Sequence, residues 1–148
     1  MPKHQATYRI LYRDIDSMGV LYYGRYLALF EMGRVEWLRS EGFRYRDLEQ
    51  EQHVILPVTH ASCDYMASLR YDDVALIQTW VESWTASTLR FGHKIESQES
   101  GVLCATGEVE LACVRKQDHR PIRMPPLLRS LMENLVADRQ LKSRRRRK

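Results

Sequence analysis

Between Thr7 and Arg13 aromatic and aliphatic residues alternate with charged ones: Tyr8, Ile10 and Tyr12 fall on one side, Arg9 and Arg13 on the other. A period of two marks a half-buried strand, so this segment is predicted as the first strand. Asp14 to Gly19, rich in Asp, Ser and Gly, reads as a loop. From about Tyr22 the period lengthens. Tyr23, Tyr26, Leu27, Phe30, Arg34, Trp37 and Leu38 recur every three or four residues, a mostly apolar stripe along a helix that ends near Ser40. Glu41-Gly42 supplies the stop, because glycine tolerates a left-handed cap. Tyr45 to Gln52 fits one more short helix.

Everything from Val54 to Lys116 then reads as strand and turn. The first run is Val54 to Cys63, with Pro57 marking an edge or a bulge. The second is Asp73 to Trp84, followed by a turn at Thr85 to Ser87. The third, Thr88 to Glu96, sets Leu89, Phe91, His93 and Ile95 against Arg90, Gly92, Lys94 and Glu96. The fourth follows Glu99-Ser100-Gly101 and places Leu103, Ala105, Val109, Leu111 and Cys113 opposite Glu108 and Glu110. Long neighbouring strands joined by tight turns pair antiparallel. A surface helix is expected over Pro126 to Leu141. The fold class is therefore α+β, one long helix inserted after the first strand and then an antiparallel meander. In the second run Val74, Leu76, Trp80 and Trp84 are apolar on one face, and Ala75, Ile77 and Val81 on the other. Two apolar faces imply that one is covered by the helix and the other by a second subunit or a ligand, so an oligomer is expected.

A chain of 148 residues fits one domain. Its formal charge of +4 is uneven, because residues 142–148 hold six basic side chains and no acid. Without them 17 basic residues face 19 acidic ones, and the body is mildly negative. We expect a single domain over 1–141 and a basic, disordered, solvated tail over 142–148. With no basic stripe interleaved with aromatics behind the tail, specific nucleic-acid binding is not expected. Three cysteines exclude a disulfide framework and fit a reducing compartment. The first ten residues carry no apolar block, and Val20 to Val35 is interrupted by Arg25, Glu31 and Arg34, so no secretory signal or membrane span is expected. A cytoplasmic protein is the expectation.

The densest candidate chemistry lies in Asp14-Ile15-Asp16-Ser17-Met18-Gly19-Val20-Leu21-Tyr22-Tyr23-Gly24-Arg25-Tyr26. Two carboxylates precede the first turn of an apolar helix, where backbone N–H groups lack intrahelical acceptors and the dipole is positive. Such a spot can polarise a carbonyl as negative charge develops on its oxygen, with a carboxylate across the carbon to attack it or to activate water. The same aspartates are equally suited to capping the turn or the helix. Glu31 reads as an i, i+3 partner of Arg34 or as a second acid. His53, His60, His93 and His119 show no metal-ligand spacing, so no metal site is expected, and His60 with Cys63 does not make a nucleophile pair.

Residues 12–27, Tyr-Arg-Asp-Ile-Asp-Ser-Met-Gly-Val-Leu-Tyr-Tyr-Gly-Arg-Tyr-Leu, resemble the D-x-D-x-x-G-x-[VL]-x-[YHN]-x-x-Y-[LF] signature of the 4-hydroxybenzoyl-CoA thioesterase family, which has the hotdog fold. Glu31 to Arg34 matches the E-x-x-R that follows, Tyr71-Asp72-Asp73-Val74 resembles a G-D-x-[LIV] strand entry, and Arg120-Pro121 with Pro125 resembles the exit from the last strand. The resemblance spans roughly residues 7–128. It implies a helix wrapped by an antiparallel sheet, a homodimer or homotetramer, and hydrolysis of acyl-CoA without a further cofactor, coenzyme A being part of the substrate; acyl carrier protein is the other possible carrier. Carried over, it makes Asp16 the catalytic carboxylate, as nucleophile or general base, and the backbone N–H of Tyr23 the oxyanion donor, with Gly19 allowing the turn and Asp14 ordering the loop. Val20, Tyr22 and Tyr26 are then expected at the acyl group, and Arg90 and Arg120, with Lys94, Lys116 and Arg123 nearby in sequence, are candidates for the coenzyme A phosphates, or else solvated charges. A second enzymatic reading is a hotdog dehydratase or hydratase, which uses a histidine near the helix start; this chain has none between His4 and His53. A non-catalytic acyl-CoA or acyl-carrier-protein binder is the alternative of a different class.

Overall fold

The computed structural model describes residues 3–147, and the side chains of all of these except 137–143. Strand β1 (His4–Arg9) leads through a 3₁₀ turn (Tyr12–Asp14) into helix α1 (Arg25–Ser40), then α2 (Tyr45–Gln52), β2 (Val54–Ile55), β3 (Val58–Tyr65), β4 (Val74–Trp84), β5 (Thr88–Ser97), β6 (Leu103–Ala112), β7 (Val114–Arg115) and α3 (Pro126–Arg146). Five strands form one antiparallel sheet in the order β1-β4-β5-β6-β3, and β2 pairs separately with β7. The α+β class and the helix-then-meander order are as expected.

The sheet curls around α1. Tyr26, Leu29, Phe30, Gly33, Arg34, Trp37 and Leu38 make the buried face of the helix, and Ala75, Ile77 and Val81 of β4 with Leu89, Phe91, His93 and Ile95 of β5 line the sheet side of the core. Gly33 is what brings the two together, since a methyl group there would collide with Thr79 Oγ1 and Ile77. Gly107 of β6 likewise makes room for the Phe30 ring. Tyr23 and Leu27, placed on the apolar stripe by periodicity, face outward instead.

Several boundaries differ from expectation. The first strand stops at Arg9, because the Asp14 carboxylate gathers the chain into the 3₁₀ turn by accepting the Leu11 N–H at 2.8 Å. Tyr12 consequently points outward and stacks on Tyr71 at 3.9 Å. Helix α1 begins three residues later than Tyr22, since Leu21 N–H is drawn to Leu69 C=O and Val20 bridges Arg70. The Val54–Cys63 run is cut at Pro57 into two strands that join different sheets, and its second part is an edge. On β4 the outward Val74, Leu76 and Trp80 are half-buried, with Trp80 lying over Gly92 and Lys3 Nζ 4.7 Å from the indole centroid. Trp84, expected on the same face, is turned by the bulge between Val81 and Ser83 to the inward side, where it pairs with Leu89 and packs against the core.

Helix α3 buries Leu128, Leu131, Met132 and Leu135, so it closes the core rather than riding on it. It also continues to Arg146, through the run expected to form the tail. Arginine is a good helix former, and cations suit the negative C-terminal end of a helix. Arg144 to Arg147 are exposed, while Lys148 and the side chains of Lys142 and Ser143 lie outside the described residues. No helix among the described residues is long and apolar enough to cross a membrane.

Candidate active site

Loop 15–21 is a miniature hairpin. Asp16 N–H donates to Val20 C=O and Gly19 N–H to Asp16 C=O, both at 3.0 Å, while Ile15 bridges Leu21. The turn needs a left-handed residue, and Gly19 supplies it with φ 78°. Within the loop the two aspartates have separate tasks. Asp14 is buried, accepts the Tyr8 O–H and the Leu11 N–H at 2.8 Å each, and lies 3.6 Å from Arg25 Nε; its backbone C=O accepts the Tyr22 N–H. It is wholly occupied in holding loop to helix. Asp16 is half-buried, and its Oδ1 accepts the Met18 N–H at 2.8 Å, leaving Oδ2 without a hydrogen-bond donor among the described residues.

That carboxylate lines a cleft of about 250 Å³ together with Met18, Val20, Tyr23, Tyr26, Tyr65 and the 66–68 backbone turn. Tyr23, just before α1, lines the same cleft. Tyr22 C=O is taken by Arg25 N–H at 2.9 Å and Tyr23 C=O by Tyr26 N–H at 3.4 Å, whereas the N–H groups of Tyr23 and Gly24 find no acceptor among the described residues. The dipole of a sixteen-residue helix adds to their positive character. The walls are aromatic: Tyr26 and Tyr65 meet edge to face at 4.9 Å, and Tyr22 leans on Tyr23 at 4.7 Å. Burial pushes the phenols of Tyr26 and Tyr65 up to about 12, so both keep their protons at neutral pH. Tyr23's hydroxyl raises that of Tyr22 as well.

Of the residues singled out in the sequence, Asp16, Val20, Tyr23 and Tyr26 meet in this cleft, and Gly19 shapes its loop. Tyr22, expected at the acyl group, is exposed beside Gly24 and is not among the lining residues. Arg90 is elsewhere: on the outer sheet face it is paired with Glu110 at 2.8 Å and Glu108 at 3.4 Å. Arg120 lies after β7 with an 80% exposed side chain, 3.8 Å from Asp118. Neither arginine is among the residues that line the cleft. Glu31 is exposed and makes no ion pair with Arg34 among the described residues; Arg34 instead turns inward to His93 Nε2 at 3.4 Å. Burial raises the thiols of Cys63, Cys104 and Cys113, the last to about 11, which leaves them poor nucleophiles.

Tyr65 and Met66 escaped the sequence reading. They lie past the predicted end of their strand, forty or more positions from Arg25 at the helix start, and the β3–β6 pairing of Tyr65 with Ala105 carries the strand that far. The legible signal was an aromatic residue two positions beyond Cys63, the predicted end of the run.

A half-buried carboxylate and a helix start with free N–H groups on one mostly apolar cleft are parts suited to acyl transfer to water. Residues 10–132 match the thioesterase-like superfamily. The chain is 34% identical to the acyl-CoA thioester hydrolase YbgC of Escherichia coli, over 88% of this chain and 90% of that one. It is 28% identical to the acyl-CoA thioesterase YbgC of Haemophilus influenzae, over 86% and 92%. The crystal structure of a DHNA-CoA thioesterase from Staphylococcus aureus superposes with a TM-score of 0.87 at 29% identity, covering 97% of this chain and 95% of that one. The chain belongs to the thioesterase-like superfamily. Its fold is the hotdog fold, and its reaction class is thioester hydrolysis.

Proposed function

We propose that the protein hydrolyses acyl-CoA to a free acid and coenzyme A, with Asp16 as the catalytic carboxylate and the Tyr23 N–H as oxyanion donor. The observation that carries this reading is the placement of Asp16 and Tyr23 on one cleft, with an N–H at the helix start that no acceptor among the described residues takes. A thioester carbonyl seated between them has its oxygen toward the amide and its carbon toward the carboxylate. As general base, Asp16 takes a proton from water while the water oxygen bonds to the carbonyl carbon; the tetrahedral oxyanion rests on the amide until the C–S bond breaks. The departing thiolate then takes the proton from Asp16. As nucleophile, Asp16 forms an anhydride and expels the thiolate first, and water then opens the anhydride. Single turnover in heavy-oxygen water separates the routes, because water that attacks the aspartyl carbon of the anhydride leaves label in Asp16.

Neither route needs a cofactor. Tyrosine and methionine walls suit an apolar or aromatic acyl group, and a panel of acyl-CoA and acyl-carrier-protein thioesters followed by thiol release would rank acyl group and carrier. The unpaired edge of β3, exposed at seven of its eight residues, favours a homodimer built by pairing this strand with a second copy, alone or within a homotetramer. The decisive variant is Asp16→Asn, which keeps shape and removes charge. Turnover should fall at least about a hundredfold with the fold intact; turnover near that of the unmodified protein would remove Asp16 from the reaction.

A further inference from the structure

Tyr65, at the end of β3, reaches across to the start of α1. Its O–H donates to Tyr23 C=O at 2.9 Å. A trans peptide is one rigid plane in which C=O and the following N–H point in opposite directions. Whatever holds Tyr23 C=O therefore also aims Gly24 N–H. The preceding plane is held in the same way from within the helix, since Arg25 N–H takes Tyr22 C=O and thereby aims Tyr23 N–H. Without Tyr65, Tyr23 C=O would keep only the long 3.4 Å bond from Tyr26 N–H.

The sheet delivers Tyr65 firmly. Met66 N–H donates to Cys104 C=O at 2.8 Å and Ala67 N–H to the same oxygen at 3.2 Å, so the residues just after it are tied to β6. Its ring stands edge-on to Tyr26 at 4.9 Å and to Tyr23 at 6.5 Å. Its proton is retained at neutral pH, so it acts as a donor throughout the working range. A hydrogen bond accepted by the carbonyl also polarises its peptide and makes the N–H on the far side a better donor.

We propose that Tyr65 is a positioning residue for hydrolysis: its hydroxyl locks the Tyr23–Gly24 peptide so that the free N–H groups at the start of α1 face the thioester oxygen. The inference rests on the reading of that helix start as the oxyanion site, and it adds Gly24 N–H as a donor beside Tyr23 N–H.

Tyr65→Phe removes one O–H and keeps the ring. With the full chain and the best acyl-CoA of the panel, kcat should fall about tenfold while KM stays within about twofold and the melting temperature is unchanged. The Gly24 backbone amide resonance should move in the same variant. Tyr65→Leu, which also removes the ring, should raise KM in addition. A Tyr65→Phe protein with unaltered kcat and an unmoved Gly24 amide overturns the proposal, and so does a loss that appears only in KM or only in melting temperature. Asp16→Asn run alongside keeps the two ideas apart. Full activity in that variant would sink the role of Asp16, whereas a kcat loss in Tyr65→Phe would still mark the helix start as the place where the carbonyl is polarised.

Discussion

Asp14 and Asp16 stand two positions apart in one loop and meet opposite surroundings. Asp14 is buried among three partners, and its truncation leaves the Leu11 N–H and the Tyr8 hydroxyl unpaired and Arg25 without its carboxylate. Asp14→Ala should lower stability by about 2–4 kcal/mol in urea titration. Asp16→Asn, by contrast, should leave the urea midpoint in place and act on turnover alone. Gly19 occupies a left-handed conformation in open space, so a methyl group meets no neighbour but the backbone is strained. Gly19→Ala should cost about 1 kcal/mol and, by shifting the Met18 N–H off Asp16, lower kcat as well.

At the scale of elements, the contact of α1 with the sheet contains a buried polar knot. His93 accepts from Arg34 through Nε2 at 3.4 Å, so its proton sits on Nδ1, which is 3.1 Å from Thr79 Oγ1; Phe30 stacks flat on the ring at 4.6 Å. Burial, and then the nearby Arg34 charge, lower the His93 pKa from 6.5 to about 3. Between those values the unfolded chain binds a proton that the folded chain refuses, so stability is lost as pH falls from about 6.5 toward 3. His93→Gln removes that dependence, and the gap between its urea midpoint and that of the unmodified protein should change across this window; parallel profiles would refute the assignment. Most elements could be read from hydrophobic period alone, including α2 to the residue and the alternation of β5. What could not be read depends on contacts between distant segments. Tyr12 continues the alternation of β1 but is turned out by the Asp14 carboxylate, and β3 runs on to Tyr65 because β6 offers a partner there. Half of the candidate site was legible as a local motif around Asp16; the wall contributed by Tyr65 and Met66 was not. Arg90 and Arg120, singled out for the phosphates because a bidentate arginine suits them, lie outside the cleft lining, and local sequence does not say how far from it the fold sets them.

For the molecule as a whole, the open edge of β3 bears on assembly. Strand pairing through it would extend the sheet across two copies and bring a second cleft into the same particle. Light scattering after size exclusion should therefore return a mass of two or four chains, and a monomer at micromolar concentration would count against the pairing. At the other end of the chain, the last buried side chain described in α3 is Leu135, while six of the positive charges lie at 142–148. Among the described side chains, the buried ones of α3 end at Leu135 and Arg144 to Arg147 are exposed. Cleavage after Leu141 would then reverse the direction in which the native protein migrates in an electric field at neutral pH, from cathode to anode.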